Sequence, residues 1–114
     1  MISVAIIGAS GFTGVELLRL CAGHGHFEVV YATGDSAAGS LASGLYPSLR
    51  ANYPNLVFEE FDADRAASAE VVFLCLPHEA ALDVAAQLVG RVRLVVDLSA
   101  AFRLKDASLY PRSV

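Results

Sequence analysis

The feature that most constrains this chain lies in its first fourteen residues. The apolar run Ile2–Ile7 stops at a glycine, and Gly8-Ala9-Ser10-Gly11-Phe12-Thr13-Gly14 follows before an amphipathic stretch begins. A short apolar run with no polar alternation is the mark of a strand buried on both faces, as in a parallel sheet. From Thr13 onward Val15, Leu18 and Cys21 recur at helical spacing with Leu17 and Leu20 beside them, and Gly23 and Gly25 supply the stop. The glycines therefore sit between a strand and a helix, where free amide groups at the helix start face an anion. Gly8 allows a tight turn, Gly11 lets the backbone approach a pyrophosphate, and Gly14 permits close helix–strand packing. The spacing is Gly-x-x-Gly-x-x-Gly, not the stricter Gly-x-Gly-x-x-Gly, and no Gly-Lys-Ser or Gly-Lys-Thr follows to make a P-loop. Ser10 and Thr13 either donate to phosphate or cap the helix.

The rest of the chain continues the alternation. Residues 27–33 are rich in β-branched and aromatic side chains and read as a second strand; residues 71–76 and 94–98 read as two later strands. Between these two, residues 79–89 form a helix with Leu82, Ala85, Leu88 and Val89 toward the sheet. Residues 34–55 are rich in glycine, proline and serine and suit an extended loop with a short helical turn, of the long kind that is often functional. Residues 56–58 read as a short third strand, and Asp62 as the cap of a brief helix ending near Ser68. The order is that of an α/β, Rossmann-type, doubly wound and mainly parallel sheet with helices on both faces, forming one dinucleotide-binding domain over residues 1–114.

Composition narrows the partners. With 114 residues, 55% of them hydrophobic, the chain buries a core without disulfides or metals. Its net charge of −4 comes from scattered acids, which suit neither nucleic acid nor an anionic membrane. No apolar run is long enough to span a bilayer, and Met1 starts no cleavable leader, so the expected compartment is the cytoplasm. Cys21 and Cys75 lie in apolar segments as core thiols, outside any metal or redox motif. His24 and His26 read as exposed residues of the helix–strand turn, and Glu16 with Arg19 as a solvated pair.

Four segments occur in one order: residues 8–20 (GASGFTGVELLRL), 46–49 (YPSL), 71–78 (VVFLCLPH) and 97–106 (DLSAAFRLKD). Together they resemble the N-acetyl-gamma-glutamyl-phosphate reductase family of arginine biosynthesis, within a wider group that includes aspartate-semialdehyde dehydrogenase. The resemblance covers nearly the whole chain. It implies reduction of a small-molecule substrate, N-acetylglutamyl 5-phosphate, to the 5-semialdehyde with NADPH through a cysteine thioester, in a homo-oligomer when full length. It places the nucleophilic cysteine, in a Gly-Cys-Tyr-Pro segment, and the basic histidine in a second domain beyond Val114, so none of the residues here is expected to be catalytic. This chain departs from the family pattern at Ala81, often serine, at Ala101, often aspartate, and over residues 110–114.

For the cofactor the resemblance implies NADP, held by Gly8, Ser10, Gly11, Phe12, Thr13 and Gly14. Asp35 stands where an acid that accepts an NAD ribose is usually found; if it points to solvent, Thr33 and Ser36 are left to donate to a 2′-phosphate. By resemblance His78 lines the nicotinamide end, and Pro77 and Ser99 are expected among the cofactor-binding residues. On the residues alone, His78 also reads as the start of a helix and Ser99 as the end of a strand. Arg103 is assigned by the wider group to the substrate phosphate, where a planar guanidinium binds two oxygens at once. It also reads as a surface partner of Asp97 or Asp106. Alternatives to the reductase are an aspartate-semialdehyde dehydrogenase or aminoadipyl-phosphate reductase fragment, a non-catalytic dinucleotide sensor, or a structural domain with an empty turn.

Overall fold

The computed structural model describes residues 1–99. Four strands, β1 (Ile2–Ile7), β2 (Phe27–Ala32), β3 (Val71–Leu74) and β4 (Leu94–Asp97), form one all-parallel sheet in the order β2-β1-β3-β4. The intervening segments are α1 (Phe12–Gly23), α2 (Ala42–Leu45), a 3-10 turn at Pro47–Leu49, α3 (Ala63–Ala67) and α4 (His78–Leu88). Successive side chains of a strand point to opposite faces, and β1 serves two cores in this way. Val4 and Ile6 pack with Val15, Leu18 and Cys21 of α1 and with Leu49 and Phe58; Ala5 and Ile7 pack with Ala66 of α3 and Ala81, Val84 and Leu88 of α4. The sheet is therefore doubly wound, as the sequence predicts.

Register decides what the fold brings together. Ile7 of β1 pairs with Leu74 of β3, which pairs with Asp97 of β4. The three strands thus end level, and the segments beginning at Gly8, Cys75 and Leu98 leave the sheet at one edge. The chain winds from β1 to β2 on one side and then crosses to β3 on the other. The gap between the carboxyl ends of β1 and β3 is the point of reversal where open α/β sheets bind ligands.

Two sequence expectations need correction. Residues 56–58 are not a strand of the sheet. They double back along the loop, with Gly39 N–H donating to Phe58 O at 2.6 Å, Phe58 N–H to Ser40 O at 2.9 Å and Ala42 N–H to Leu56 O at 2.8 Å. Glu59 meets the end of β2, its N–H donating to Ala32 O at 3.0 Å beside an isolated bridge to Thr33. The apolar signal there came from Phe58, which is buried against α1's side of the core as a loop residue. The second correction concerns α4, whose buried stripe is Ala81, Val84 and Leu88, while Leu82 and Val89 are 55% and 73% exposed. Positions 81, 84, 85 and 88 carry the full i, i+3, i+4, i+7 helical spacing, which the set 82, 85, 88, 89 does not. Asp62 caps α3 as expected, accepting from the N–H groups of Asp64 and Arg65 at 2.8 and 3.4 Å.

Candidate functional site

The turn after β1 is built by glycines in three different ways. Gly8 has φ +85°, and a Cβ there would lie 2.5 Å from the Cys75 carbonyl oxygen. Gly14 has ordinary helical geometry, yet a Cβ would lie 2.4 Å from Ala9 Cα, so α1 rests directly on the turn. Gly11 differs from both. It caps α1 with φ −86° and ψ 177°, and among the described residues, its chain neighbours aside, the nearest heavy atom to a Cβ would be Gly8 O, at 4.0 Å. Extended backbone of this kind suits any residue. Absence of a side chain at Gly11 therefore serves neither conformation nor packing, and leaves open space over the start of α1.

That space faces donors. No side chain caps the first turn of α1, and the Gly11 N–H makes no well-formed hydrogen bond to a described residue. The positive end of the helix dipole lies at the same place, so an anion seated over Gly11 would meet both. Ser10 is half-buried and Thr13 half-buried within the first turn, and neither provides a cap; Phe12 presents its ring outward, 61% exposed.

Thr33 supports the turn from below. Its hydroxyl accepts from Gly8 N–H at 2.9 Å, its carbonyl accepts from Ala9 N–H at 2.6 Å, and its own N–H donates to Ile6 O at 3.0 Å. The residue is only 4% exposed. This bracing role was not legible in the sequence, because it joins residues 25 apart. Asp35 and Ser36 come next, both exposed at the carboxyl end of β2.

The other edge segments converge as the register requires. Pro77 caps α4 and His78 is its first residue. His78 Nδ1 lies 3.5 Å from Ser99 Oγ, and Ser99 is in turn fixed by its N–H donating to Asp97 Oδ1 at 2.7 Å. Pro77, His78 and Ser99 thus share one patch beside the glycine turn, with His78 exposed and Ser99 buried. Arg103 lies outside the described residues.

Neither cysteine is placed as a nucleophile. Cys21 is buried within α1, where burial raises its pKa. Cys75, buried just after β3, has its thiol pushed up to about 12, first by burial and then by Cys21. A reactive cysteine needs exposure and a stabilised thiolate, and these sites give the opposite. Among the described residues no group of histidine, cysteine and carboxylate side chains could hold a metal ion, and no helix is long and apolar enough to cross a membrane. His24 and His26 are exposed, and Arg19 pairs with Glu16 on the surface of α1.

Comparison with known proteins gives a consistent result. Residues 3–111 match the family model described as semialdehyde dehydrogenase, NAD binding domain. An N-acetyl-gamma-glutamyl-phosphate reductase from Geotalea daltonii is 45% identical over 96% of this chain and 32% of its own length. A [LysW]-L-2-aminoadipate/[LysW]-L-glutamate phosphate reductase from Sulfolobus acidocaldarius is 49% identical, again over 96% of this chain and 31% of its own. The chain thus spans about a third of the length of the curated relatives it matches. In fold it is similar to aspartate semialdehyde dehydrogenase with NADP from Candida albicans, with a TM-score of 0.76 at 22% identity over 90% of this chain and 31% of that one.

Proposed function

The chain belongs to the semialdehyde dehydrogenase family, NAD-binding domain, and on that premise we propose that residues 1–114 form the NADP-binding unit of an acyl-phosphate reductase. The observation that carries the reading is the cradle at Gly11: among the described residues, space over the backbone, an N–H with no well-formed hydrogen bond and a helix start that no side chain caps, all at the switch point of the sheet. The turn from Gly8 to Gly14 holds the pyrophosphate, with Ser10 and Thr13 as further donors. Pro77, His78 and Ser99 border the nicotinamide, and Arg103 takes the substrate phosphate. When bound, the nicotinamide supplies the hydride. The substrate class is an N-blocked glutamyl 5-phosphate, in keeping with the Geotalea relative's name. A second reading has the longer aminoadipyl phosphate, or a carrier-linked glutamyl phosphate, as substrate; the 49% identity to the Sulfolobus protein favours it. A cytoplasmic location and a homo-oligomeric full-length enzyme belong to the same proposal.

Exposure of Asp35 and Ser36 bears on the choice of cofactor. An acid bonded to the ribose 2′-hydroxyl favours NAD and repels a 2′-phosphate, whereas an acid turned to water leaves the exposed Ser36 hydroxyl to meet it; Thr33, expected beside it, is instead buried beneath the turn with its hydroxyl bonded to Gly8 N–H. Paired calorimetric titrations should therefore give tighter binding of NADP than of NAD. Tighter binding of NAD would contradict this and place the Asp35 carboxylate on the ribose.

The buried thiols set a further expectation. The 114-residue chain should bind cofactor yet show no turnover in the reverse direction, assayed with N-acetylglutamate semialdehyde, phosphate and NADP by the absorbance of NADPH. Acyl transfer through a thiol requires a thiolate within a few Å of the acceptor, and Cys75, with its pKa near 12, supplies almost none at neutral pH. A signal that vanishes in Cys75→Ser would mean that this cysteine is the nucleophile. One that survives loss of both cysteines would rule out a thioester route.

A further inference from the structure

The loop after β2 contains Tyr46-Pro47-Ser48-Leu49, a motif to which the reading so far gives no task. We propose that Tyr46 is a positioning residue for the glycine turn: its hydroxyl sets the plane of the Ser10–Gly11 peptide and so aims the Gly11 N–H at the ligand. The proposal rests on the reading that residues 8–14 hold the pyrophosphate of a dinucleotide.

The Tyr46 hydroxyl donates to the Ser10 carbonyl oxygen at 2.5 Å. In a planar trans peptide the C=O and the following N–H point in opposite directions, so fixing one fixes the other. The oxygen of Ser10 and the N–H of Gly11 belong to one such unit. Held toward Tyr46 at its oxygen, that unit turns its N–H away from the loop.

Two nearby peptides have main-chain partners of their own. Upstream, the Gly8–Ala9 unit is held by Ala9 N–H donating to Thr33 O at 2.6 Å. Downstream, the Gly11–Phe12 unit is held by Val15 N–H donating to Gly11 O at 2.9 Å. Among the described residues, the well-formed hydrogen bond of the Ser10–Gly11 unit is the one from Tyr46. A glycine on one side makes rotation of this unit easy, since glycine tolerates φ of either sign. A turn without the phenol would sample both orientations, and only one presents the donor.

Tyr46 is itself firmly placed. Its N–H donates to Ala42 O at 2.9 Å at the end of α2, and Leu49 three residues on is buried in the core against α1. The Tyr53 hydroxyl donates to Leu18 O at 2.7 Å, a second grip of the same loop on α1. The loop thus holds the turn and its helix as one body, and Tyr46 is the contact nearest the ligand.

Tyr46→Phe removes only the hydroxyl from a half-buried position. Wild type and variant are to be titrated, followed by amide NMR, with NADP and with adenosine 2′-monophosphate, which keeps the 2′-phosphate and lacks the pyrophosphate. NADP should bind the variant about tenfold more weakly, the size of one oriented hydrogen bond. The mononucleotide should bind both proteins within about twofold, because its contacts avoid the turn. In the wild type, the Gly11 amide resonance should move with NADP and stay still with the mononucleotide. Unchanged NADP affinity in the variant, equal loss for both ligands, or a Gly11 resonance indifferent to NADP would overturn the role of Tyr46. A wild type that binds no NADP at all would instead remove the dinucleotide reading on which it stands.

Discussion

Gly14→Ala should lower the melting temperature by roughly 10 °C or more, although alanine is the better helix former. The added Cβ would lie 2.4 Å from Ala9 Cα and 2.7 Å from both Ala9 C and Gly8 O, all main-chain atoms of the turn on which α1 rests. No flexible side chain is there to give way. Overpacking of this kind costs about 1–3 kcal/mol or more, against a helix gain of no more than about 1 kcal/mol. A main-chain contact of 2.4 Å puts the cost at the upper end of that range, so the net loss is about 2 kcal/mol, and each 1 kcal/mol shifts a domain of this size by about 4–8 °C. Gly23→Ala, at the other end of the same helix, is the control. A Cβ at Gly23 meets nothing within 4 Å, so that variant should be as stable as the wild type or slightly more so. Thermal unfolding of the two variants checks the account, and equal behaviour would mean that α1 does not sit on the turn as described.

The opposite sign at two glycines of one helix shows what could be read from the sequence and what could not. A buried strand, a glycine turn and a helix follow from residue type and period alone, which are local properties. The structure keeps that unit, with β1 over Ile2–Ile7 and the buried stripe Val15, Leu18 and Cys21. Ambiguity entered where two patterns competed. Around Leu82 the apolar residues offer two faces to the sheet, and at Phe58 a buried aromatic looks the same in a strand as in a loop. Contacts across long separations left no local trace at all. Thr33 braces Gly8 from 25 residues away, and Tyr46 reaches Ser10 across 36. Such pairs depend on how the loop after β2 folds over α1, which neither propensity nor period encodes. The turn was legible as a row of glycines, and its supports were not.

Gly11→Val should abolish dinucleotide binding in a protein that remains folded. The backbone at Gly11 is extended, a conformation that valine adopts readily, and the nearest atom to a new Cβ is 4.0 Å away. Stability should fall by less than about 1 kcal/mol, the difference between a fair and a poor helix cap. Binding is another matter, because the branched side chain fills the space in which the pyrophosphate must approach the main chain. Loss of the charge-assisted hydrogen bond from the Gly11 N–H, about 1.5–3 kcal/mol, lowers affinity by at least about tenfold, and exclusion of the pyrophosphate by the side chain lowers it further. This separation of stability from binding is peculiar to Gly11. At Gly8 and Gly14 a side chain strikes main-chain atoms, so those variants lose binding and fold together.

The central claim, that residues 8–14 are a dinucleotide cradle, is tested most directly by calorimetric titration of NADP into wild type and Gly11→Val, with circular dichroism on both. The expected outcome is saturable one-to-one binding to the wild type, no measurable binding to the variant, and superimposable spectra. A folded Gly11→Val variant that binds NADP as tightly as the wild type would contradict it.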